Sequence, residues 1–295
     1  MILAAIDIGS NAARLLISET SFYKDGNVDF TKTNLIRIPL RLGFDVFEKG
    51  FVSPAKKQKL IETMKAYKLL MKIYGVEAYK ACATSAMRDA SNGTLIIDEI
   101  FRETGLEIKI ITGLEEANML FETHIAENTS TTKSNLYIDV GGGSTEVTLL
   151  SQGKTIFKES FNIGTIRLLH NQVSDEQWEN LKKFIKAQTK DHQPLVAIGT
   201  GGNINKIFSL SKRKEGKPLT LDLLKDYYKE MSSSTLEERM HLYHLRDDRA
   251  DVIVPALQIY ISIMRWAEVT EIFVPKIGLA DGLIKMLYKE LSNKV

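Results

Sequence analysis

The sequence predicts an α/β protein made of two similar halves. Short aliphatic and β-branched strands alternate with helical segments along the chain, which is typical of an α/β domain. A pattern of apolar strand, aspartate, glycine turn and second strand also occurs twice, as LAAIDIGSNAARLLISE and as LYIDVGGGSTEVTLLS. The aspartates of the two copies, Asp7 and Asp139, are 132 positions apart in a chain of 295 residues. That spacing indicates a duplicated domain rather than a short tandem repeat.

Composition narrows the class of protein. Hydrophobic residues make up 44% of the chain, enough for each half to close its own core. The formal charge of +2 gives no broad field for duplex nucleic acid. Cys82 is the single cysteine, which excludes an internal disulfide and predicts a buried structural thiol. Without an apolar run of about 18 residues or a signal-peptide pattern, the sequence predicts a cytoplasmic protein that does not associate with membranes.

The first half contains several recognisable elements. Ser53 and Pro54 are typical of a helix start, and apolar residues at helical spacing continue this helix to Gly75. EAYKACATSAMRD predicts a strand that runs into a Thr-Ser turn. TLIIDEIFRET predicts a helix that ends at Gly105, and EIKIIT predicts a further strand.

The second half repeats this alternation. KTIFKESF predicts a strand, and Ser174 with Gln177 forms a capping box for the next helix. PLVAIGTGGNINKIF predicts a strand, a glycine turn and a helix. Helices are further predicted over 220–231, 234–244, 248–268 and 279–293, with a last strand at EIFVP. The segment 127–135 is the best boundary, which gives domains of 1–126 and 127–295, and the last helix, about 280–295, is free to pack back on the first domain.

The two aspartate turns are candidate anion sites. After Asp7, the turn Gly9-Ser10-Asn11 exposes successive backbone N–H groups, and Arg14 adds a charge-assisted contact. A plain hairpin turn explains this first pattern equally well. The second turn is stronger evidence, because three consecutive glycines, 141–143, cost conformational entropy unless the backbone needs close approach.

The acids around the second turn point to a metal. Asp139 precedes the glycines and Glu146 follows them, so two carboxylates would repel a bare polyanion. A divalent cation between acid and phosphate reconciles them, and Mg²⁺ is the natural choice.

A third glycine turn and an acidic pair complete the candidates. Gly199-Thr200-Gly201-Gly202 joins a strand to a helix and offers another anion site, unless it is only a tight turn. No lysine follows these glycines as in a P-loop. Glu115 and Glu116 open a helix, where either is a candidate base for water or simply offsets the helix dipole. The pattern does not choose between them.

Taken together, these residues resemble the exopolyphosphatase and guanosine pentaphosphate phosphohydrolase family, a branch of the acetate and sugar kinase, heat-shock chaperone and actin superfamily. The resemblance covers the whole chain, and its motifs are in the family's order: AAIDIGSNAARLLI, RLGFDV, ATSAMRDASNG, GLEEANML, YIDVGGGSTEV, IGTIRLL, AIGTGGNINKI, RADVIVPALQI and IGLADGLI. It implies two ribonuclease H-like domains with mixed sheets that face each other across a central cleft.

The resemblance also implies roles. Glu116 is the base that directs water at a terminal phosphorus, and Glu146 is the second acidic site residue. Mg²⁺ is held by Asp139, Glu146 and, through water, Asp7. The residues that bind phosphate oxygens are Ser10, Asn11, Arg14, Arg88, Gly142, Gly143, Ser144, Thr200 and Gly201. The substrate is inorganic polyphosphate or a guanosine polyphosphate of the stringent response, and an exposed helix of the second half is compatible with a homodimer.

The sequence differs from the family's usual motifs at two places, and two alternative functions are compatible with it. The chain has Ala12-Ala13 where the family commonly has a Ser-Phe pair, and Ala280-Asp281 where it has Arg-Glu, which bears on substrate preference. One rival is an ATP-dependent kinase or ATPase of the same superfamily. The other is a sensor that binds (p)ppGpp without turnover.

Overall fold

A computed structural model of the chain describes residues 1–22, 28–124 and 134–293, of which the side chains of residues 22 and 121–124 are not described. The strands are β1 Ile2–Ile8, β2 Ala12–Phe22, β3 Val28–Pro39, β4 Ala78–Ala83, β5 Lys109–Ile110, β6 Ser134–Val140, β7 Thr145–Ser151, β8 Lys154–Phe161, β9 Leu195–Thr200, β10 Leu219–Thr220 and β11 Glu271–Phe273. The helices are α1 Leu42–Lys49, α2 Pro54–Ile73, α3 Ser85–Asp89, α4 Gly93–Thr104, α5 Gly113–His124, α6 Thr165–Leu169, α7 Asp175–Thr189, α8 Gly202–Leu210, α9 Leu221–Ser233, α10 Leu236–Leu242, α11 Asp247–Ala250, α12 Ile253–Trp266 and α13 Leu279–Ser292.

The chain forms two compact units. The first consists of Met1–Ile125 together with Gly278–Val295, and the second of Ala126–Ile277. Helix α13 therefore belongs to the first unit, not to the 127–295 half with which sequence order groups it. Most of the predicted boundary segment 127–135 lies outside the described residues.

The first unit is built on a mixed sheet in the order β3-β2-β1-β4-β5. Strand β1 pairs antiparallel with β2 and parallel with β4. One face of the sheet carries Leu3, Ala5, Leu16 and Cys82, which pack in one apolar cluster with residues of α5 and α13, such as Leu283. The alternation of side chains along β1 places Asp7 on that same face, beyond the apolar residues.

The second unit repeats this arrangement. Its sheet has the order β10-β11-β9-β6-β7-β8, in which β6 pairs antiparallel with β7 and parallel with β9. Strands β8-β7-β6-β9-β11 thus match β3-β2-β1-β4-β5 in order and direction, and β10 is an extra edge strand. The predicted α/β fold with two mixed sheets is confirmed, and the shared topology is the structural form of the sequence repeat.

Most predicted elements are present, with three corrections. Ser174 and Gln177 form the predicted capping box. The helix predicted over 248–268 is divided into α11 and α12, because Pro255 has no N–H to continue a hydrogen-bond ladder back to residue 251. The predicted Thr-Ser turn after β4 is the start of helix α3. Ser53 occupies the N-cap of α2 as expected, but its side chain makes no capping bond there, and its N–H donates to Asp45 Oδ2 at 3.1 Å.

Within the described residues, no helix is both long enough and apolar enough to cross a bilayer.

Candidate functional site

The first aspartate turn is a tight connection between β1 and β2, in which Ser10 is buried and Gly9 and Asn11 are half-buried. The Gly9 N–H donates to Ala12 O at 3.0 Å, and the Ser10 carbonyl accepts from the Gly43 N–H at 2.8 Å. The Ser10 hydroxyl lies 2.8 Å from the Ser85 hydroxyl at the start of α3. Within the described residues the Ser10 N–H donates to no group. The turn therefore holds a backbone donor ready for an anion.

Asp7 and Arg14 face each other across the first hairpin. They are partners in the β1–β2 register, and Arg14 Nη1 lies 2.6 Å from Asp7 Oδ2. Asp7 is buried, whereas about a third of the Arg14 side chain is exposed. The parallel neighbour of Asp7 is Cys82, whose thiol pKa is raised by burial and then by the negative charges of Asp7 and Glu116. Both carboxylates therefore lie near the end of β4.

Glu115 and Glu116 have different surroundings in the structure, although the sequence alone does not distinguish them. The Glu115 N–H donates to Thr112 Oγ1 at 3.1 Å, and Glu115 Oε2 accepts from the Thr112 N–H at 2.8 Å. These reciprocal bonds make Glu115 the N3 member of a capping box at the start of α5. Glu115 Oε1 also binds Lys109 Nζ at 2.7 Å. Glu116 is only 8% exposed, and its negative charge raises the pKa of the buried Cys82 thiol.

Glu115 should stabilise the fold through its ionised form. The hydrogen bond from Lys109 and those from Thr112 lower the Glu115 pKa from 4.5 to about 2. A lowered folded-state pKa contributes stability above the unfolded pKa and loses it as pH falls through the folded value. We expect Glu115→Gln to be less stable than wild type at pH 7 in urea unfolding, and the difference to vanish between about pH 4.5 and about pH 2. A difference that is constant over this range would contradict the capping assignment.

The second aspartate turn is closed by the same type of backbone hydrogen bond as the first, and it offers more backbone N–H donors. The Gly141 N–H donates to Ser144 O at 2.9 Å. The carbonyls of this turn point into α6, where Gly141 O accepts from Thr165 N at 3.0 Å and Gly142 O from Ile166 N at 2.8 Å. Among the described residues, the N–H groups of Gly142, Gly143 and Ser144 donate to no group. Three consecutive backbone donors form a nest suited to phosphate oxygens.

Gly164 holds this turn in place by close backbone approach. A Cβ at Gly164 would lie 2.5 Å from Gly142 O and 2.5 Å from the Gly143 carbonyl carbon. Gly164→Ala must therefore displace the glycine turn, and we expect a loss of about 1–3 kcal/mol in the free energy of unfolding. Gly278→Ala is the matched control, because nothing lies within 4 Å of a Cβ there. Equal thermal and urea stability of the two variants would contradict this account.

A row of four polar side chains crosses the second sheet beside this turn. Asp139 is the register partner of Glu146 on β7 and of Thr200 on β9, and Glu146 is the partner of Ser160 on β8. The Thr200 hydroxyl donates to Asp139 Oδ1, and the Ser160 hydroxyl donates to Glu146 Oε1 at 2.7 Å. Each carboxylate thus has one oxygen fixed by a hydroxyl. We call these four residues the acidic row.

The third glycine turn supports the acidic row from one side. Gly201 has φ +107°, a conformation that favours glycine, and a Cβ there would lie 3.3 Å from Asp139 Oδ1. The Thr200 carbonyl accepts a hydrogen bond from the hydroxyl of Tyr260 on α12. Burial, followed by the negative charge of Asp139, raises the pKa of Tyr260 well above its usual value. Tyr260 therefore stays a neutral donor beneath the turn.

The predicted site residues fall into one group in each unit. In the first unit Ser10, Asn11, Arg14 and Asp7 surround the first turn, and Arg88 Nη1 donates to Ile111 O at 2.9 Å, just before Thr112 and α5. In the second unit the residues of the acidic row and the two glycine turns come together: Asp139, Gly142, Gly143, Ser144, Glu146, Thr200 and Gly201. Sequence reasoning missed Ser85, Ser160 and Tyr260, which contact these groups from distant segments.

Comparisons with known proteins give matches along almost the whole chain. Residues 30–291 match the Ppx/GppA phosphatase family. The chain is 30% identical to the bifunctional 3-dehydroquinate synthase/phosphatase of Fusobacterium nucleatum, over 99% of this chain and 47% of the relative. It is 24% identical to exopolyphosphatase 1 of Mycobacterium tuberculosis, over 96% and 87% of the two chains. It is also 24% identical to the guanosine-5'-triphosphate,3'-diphosphate pyrophosphatase of Pseudoalteromonas translucida, over 98% and 60%.

A solved structure gives the same fold. The exopolyphosphatase from Cytophaga hutchinsonii matches with a TM-score of 0.84 at 21% identity, over 98% of each chain. The chain spans about half the length of the Fusobacterium relative.

The repeated sheet topology, with an aspartate turn in each unit, defines a two-domain protein of the actin-like, ribonuclease H-like class. The family match covers far more than half of the chain. The chain belongs to the Ppx/GppA phosphatase family, which confirms the resemblance seen in its motifs.

Proposed function

We propose that the chain is a Mg²⁺-dependent phosphohydrolase that removes the terminal phosphate of inorganic polyphosphate or of guanosine pentaphosphate. The observation that carries this proposal is the division of the acidic pair at the start of α5. Glu115 is engaged in a capping box, whereas the neighbouring Glu116 is buried on the face that holds Asp7 and Cys82. Relatives named for both substrates support the choice of reaction.

Glu116 is suited to act on water. Hydrolysis of a phosphoanhydride requires a group that orients a water molecule and accepts its proton, and a carboxylate is adequate for this. The Glu116 N–H is bonded to Thr112 O at 3.0 Å, so the backbone that carries the base is fixed. No covalent nucleophile is required, because phosphoryl transfer depends mainly on positioning and charge neutralisation.

The turns supply the phosphate contacts. The nest of Gly142, Gly143 and Ser144 N–H groups and the Ser10 N–H are donors for phosphate oxygens. Arg14 and Arg88 add positive charge on the first unit. Such preorganised donors stabilise charge in the transition state without reorganisation, which is the largest contribution in many enzymes.

The acidic row fits a magnesium site that is shared with substrate. Within the described residues, no three His, Cys, Asp or Glu side chains cluster as a complete metal cage. Mg²⁺ does not need one, because it is commonly bound by one or two carboxylates, water and substrate phosphates. Asp139 and Glu146 provide those carboxylates, each fixed by a hydroxyl donor. When bound there, Mg²⁺ would neutralise charge on the phosphate oxygens.

The role of Glu116 as the base is tested by replacing each glutamate of the adjacent pair with glutamine. We expect Glu116→Gln to lose about 10²–10⁴-fold in turnover and to keep its affinity for substrate, since only the proton acceptor is removed. Glu115→Gln is the matched control and should keep its turnover at pH 7. The measurement is phosphate release from polyphosphate, guanosine pentaphosphate and ATP, with and without Mg²⁺.

Each outcome of that assay has a defined meaning. Release from the first two substrates only, and only with Mg²⁺, supports the proposal. Preferential release from ATP would replace it with an ATPase, and Mg²⁺-dependent binding without release would replace it with a sensor. Equal turnover of Glu116→Gln and Glu115→Gln would remove Glu116 as the base.

The hydroxyl on Asp139 gives a second prediction. Thr200→Val deletes the donor that fixes Asp139 Oδ1, whereas Thr200→Ser retains it. Because partners that orient a ligand typically change metal affinity about 10–100-fold, we expect Thr200→Val to raise the Mg²⁺ concentration for half-maximal rate by such a factor. Thr200→Ser should restore the wild-type Mg²⁺ dependence. A Mg²⁺ titration that is the same for wild type and Thr200→Val would contradict this role.

A further inference from the structure

Two buried serines lie next to each other at the carboxyl ends of β1 and β4. These strands are parallel and place Ile8 opposite Ala83, so the residues two positions beyond this pair come together. Those residues are Ser10 and Ser85, whose hydroxyl oxygens lie 2.8 Å apart. Ser10 is 2% exposed and Ser85 is 3% exposed. We call these two residues the serine pair.

The serine pair carries one hydroxyl proton more than its surroundings accept. Each hydroxyl is a single donor, and the hydrogen bond between the two oxygens uses one of the two protons. Within residues 1–22, 28–124 and 134–293, neither hydroxyl makes another hydrogen bond. A buried donor without an acceptor costs free energy. The second proton therefore requires an acceptor that this part of the chain does not supply.

The surroundings of the serine pair indicate which residue keeps the second proton. Both chain neighbours of Ser85 are buried, whereas both chain neighbours of Ser10 are half-buried. The Ser10 side of the pair is thus the one nearer to solvent. When Ser85 is the donor within the pair, the Ser10 hydroxyl keeps its own proton for an external acceptor.

The backbone of Ser10 adds a second donor at the same place. Its N–H donates to no group in the described part of the chain. Ser10 is three positions after Asp7, just as Gly142 is three positions after Asp139. The Ser10 N–H is therefore the counterpart of the first donor in the glycine nest of the second unit. Two donors on one residue suit an oxygen of an anion.

We propose that Ser85 is a positioning residue for phosphate binding in the first unit. Its hydroxyl donates to the Ser10 hydroxyl, and this directs the Ser10 proton, together with the Ser10 N–H, to one phosphate group. The identity of the ligand, a chain of phosphate groups, rests on the proposed function. Hydrogen bonds to an ionised oxygen are stronger than those between neutral groups, so the direction of this one proton affects affinity.

The test is a double-mutant cycle on phosphate binding, measured separately from turnover. The probe is inorganic tripolyphosphate in buffer with EDTA, and its affinity for the full chain is measured by titration calorimetry. We expect Ser10→Ala to weaken binding about 10–100-fold, because a hydrogen bond to a charged group is lost, and Ser85→Ala to weaken it about 2–10-fold. The double variant should bind like Ser10→Ala alone, because Ser85 acts only through Ser10.

Ser18→Ala is the matched control for the loss of a buried hydroxyl. Ser18 is a buried serine of the same unit, and its hydroxyl donates to Thr31 O at 3.1 Å. It is the register partner of Leu3, near the end of β1 that is opposite to the turn. Ser18→Ala should therefore bind tripolyphosphate like wild type.

The contrary results are distinct from those of the hydrolysis assay. The positioning role is overturned if Ser85→Ala binds as tightly as Ser18→Ala, if the two losses add in full in the double variant, or if wild type does not bind the probe. A wild-type chain that binds tripolyphosphate but releases no phosphate with Mg²⁺ overturns the hydrolase and leaves the serine pair standing.

A second variant covers the case in which Ser85→Ala does not fold by circular dichroism. Ser85→Cys then takes its place in the cycle, because a thiol is only a weak donor. We expect this variant to weaken binding of tripolyphosphate as well. Wild-type affinity in folded Ser85→Cys overturns the proposal.

Discussion

Strand register is the constraint on which both candidate sites depend. The first strand of each sheet pairs antiparallel on one side and parallel on the other, so its aspartate has a fixed partner in each direction. A slip of one residue would turn every side chain of that strand to the opposite face of the sheet. Asp139 would then leave Glu146 and Thr200. The same strand carries buried apolar residues such as Leu136 and Ile138, which the slip would expose to solvent. The free-energy cost of that exposure keeps the acidic row in register.

The features that sequence could predict are the local ones. Each aspartate turn is a contiguous segment, so the repeat, the strand–turn–strand pattern and the candidate anion donors can all be read from neighbouring residues. Ser160 could not be found this way, because its contact with Glu146 arises from strand pairing across 14 positions of sequence. Glu115 and Glu116 also differ only in their folded surroundings, which neighbouring residues in the sequence do not reveal. Only the backbone shows that Thr112 is the N-cap and that Glu115 therefore occupies the capping position.

The glycine turn shows how a distant segment completes a local motif. Its three glycines permit the conformation, but the carbonyls must be directed away for the N–H groups to remain available. That direction is imposed by α6, whose first N–H groups bind Gly141 O and Gly142 O, and by Arg167 Nε, which donates to Gly143 O at 2.7 Å. Gly164 allows this helix to approach. The anion nest is therefore a property of two segments, of which the sequence motif contains one.

The two units place residues of different charge opposite the same aspartate of a shared topology. In the second unit one neutral hydroxyl binds Asp139 and another binds Glu146, so each carboxylate is oriented by a hydroxyl donor. In the first unit the equivalent of Glu146 is Arg14, which binds Asp7 directly, and the equivalent of Thr200 is the thiol of Cys82. A divalent cation is attracted to a row of two acids. In the first unit Asp7 already has Arg14 as an ion-pair partner, so a positive charge lies directly beside this carboxylate. The residue opposite the shared aspartate thus differs in charge between the two copies, negative in the second unit and positive in the first.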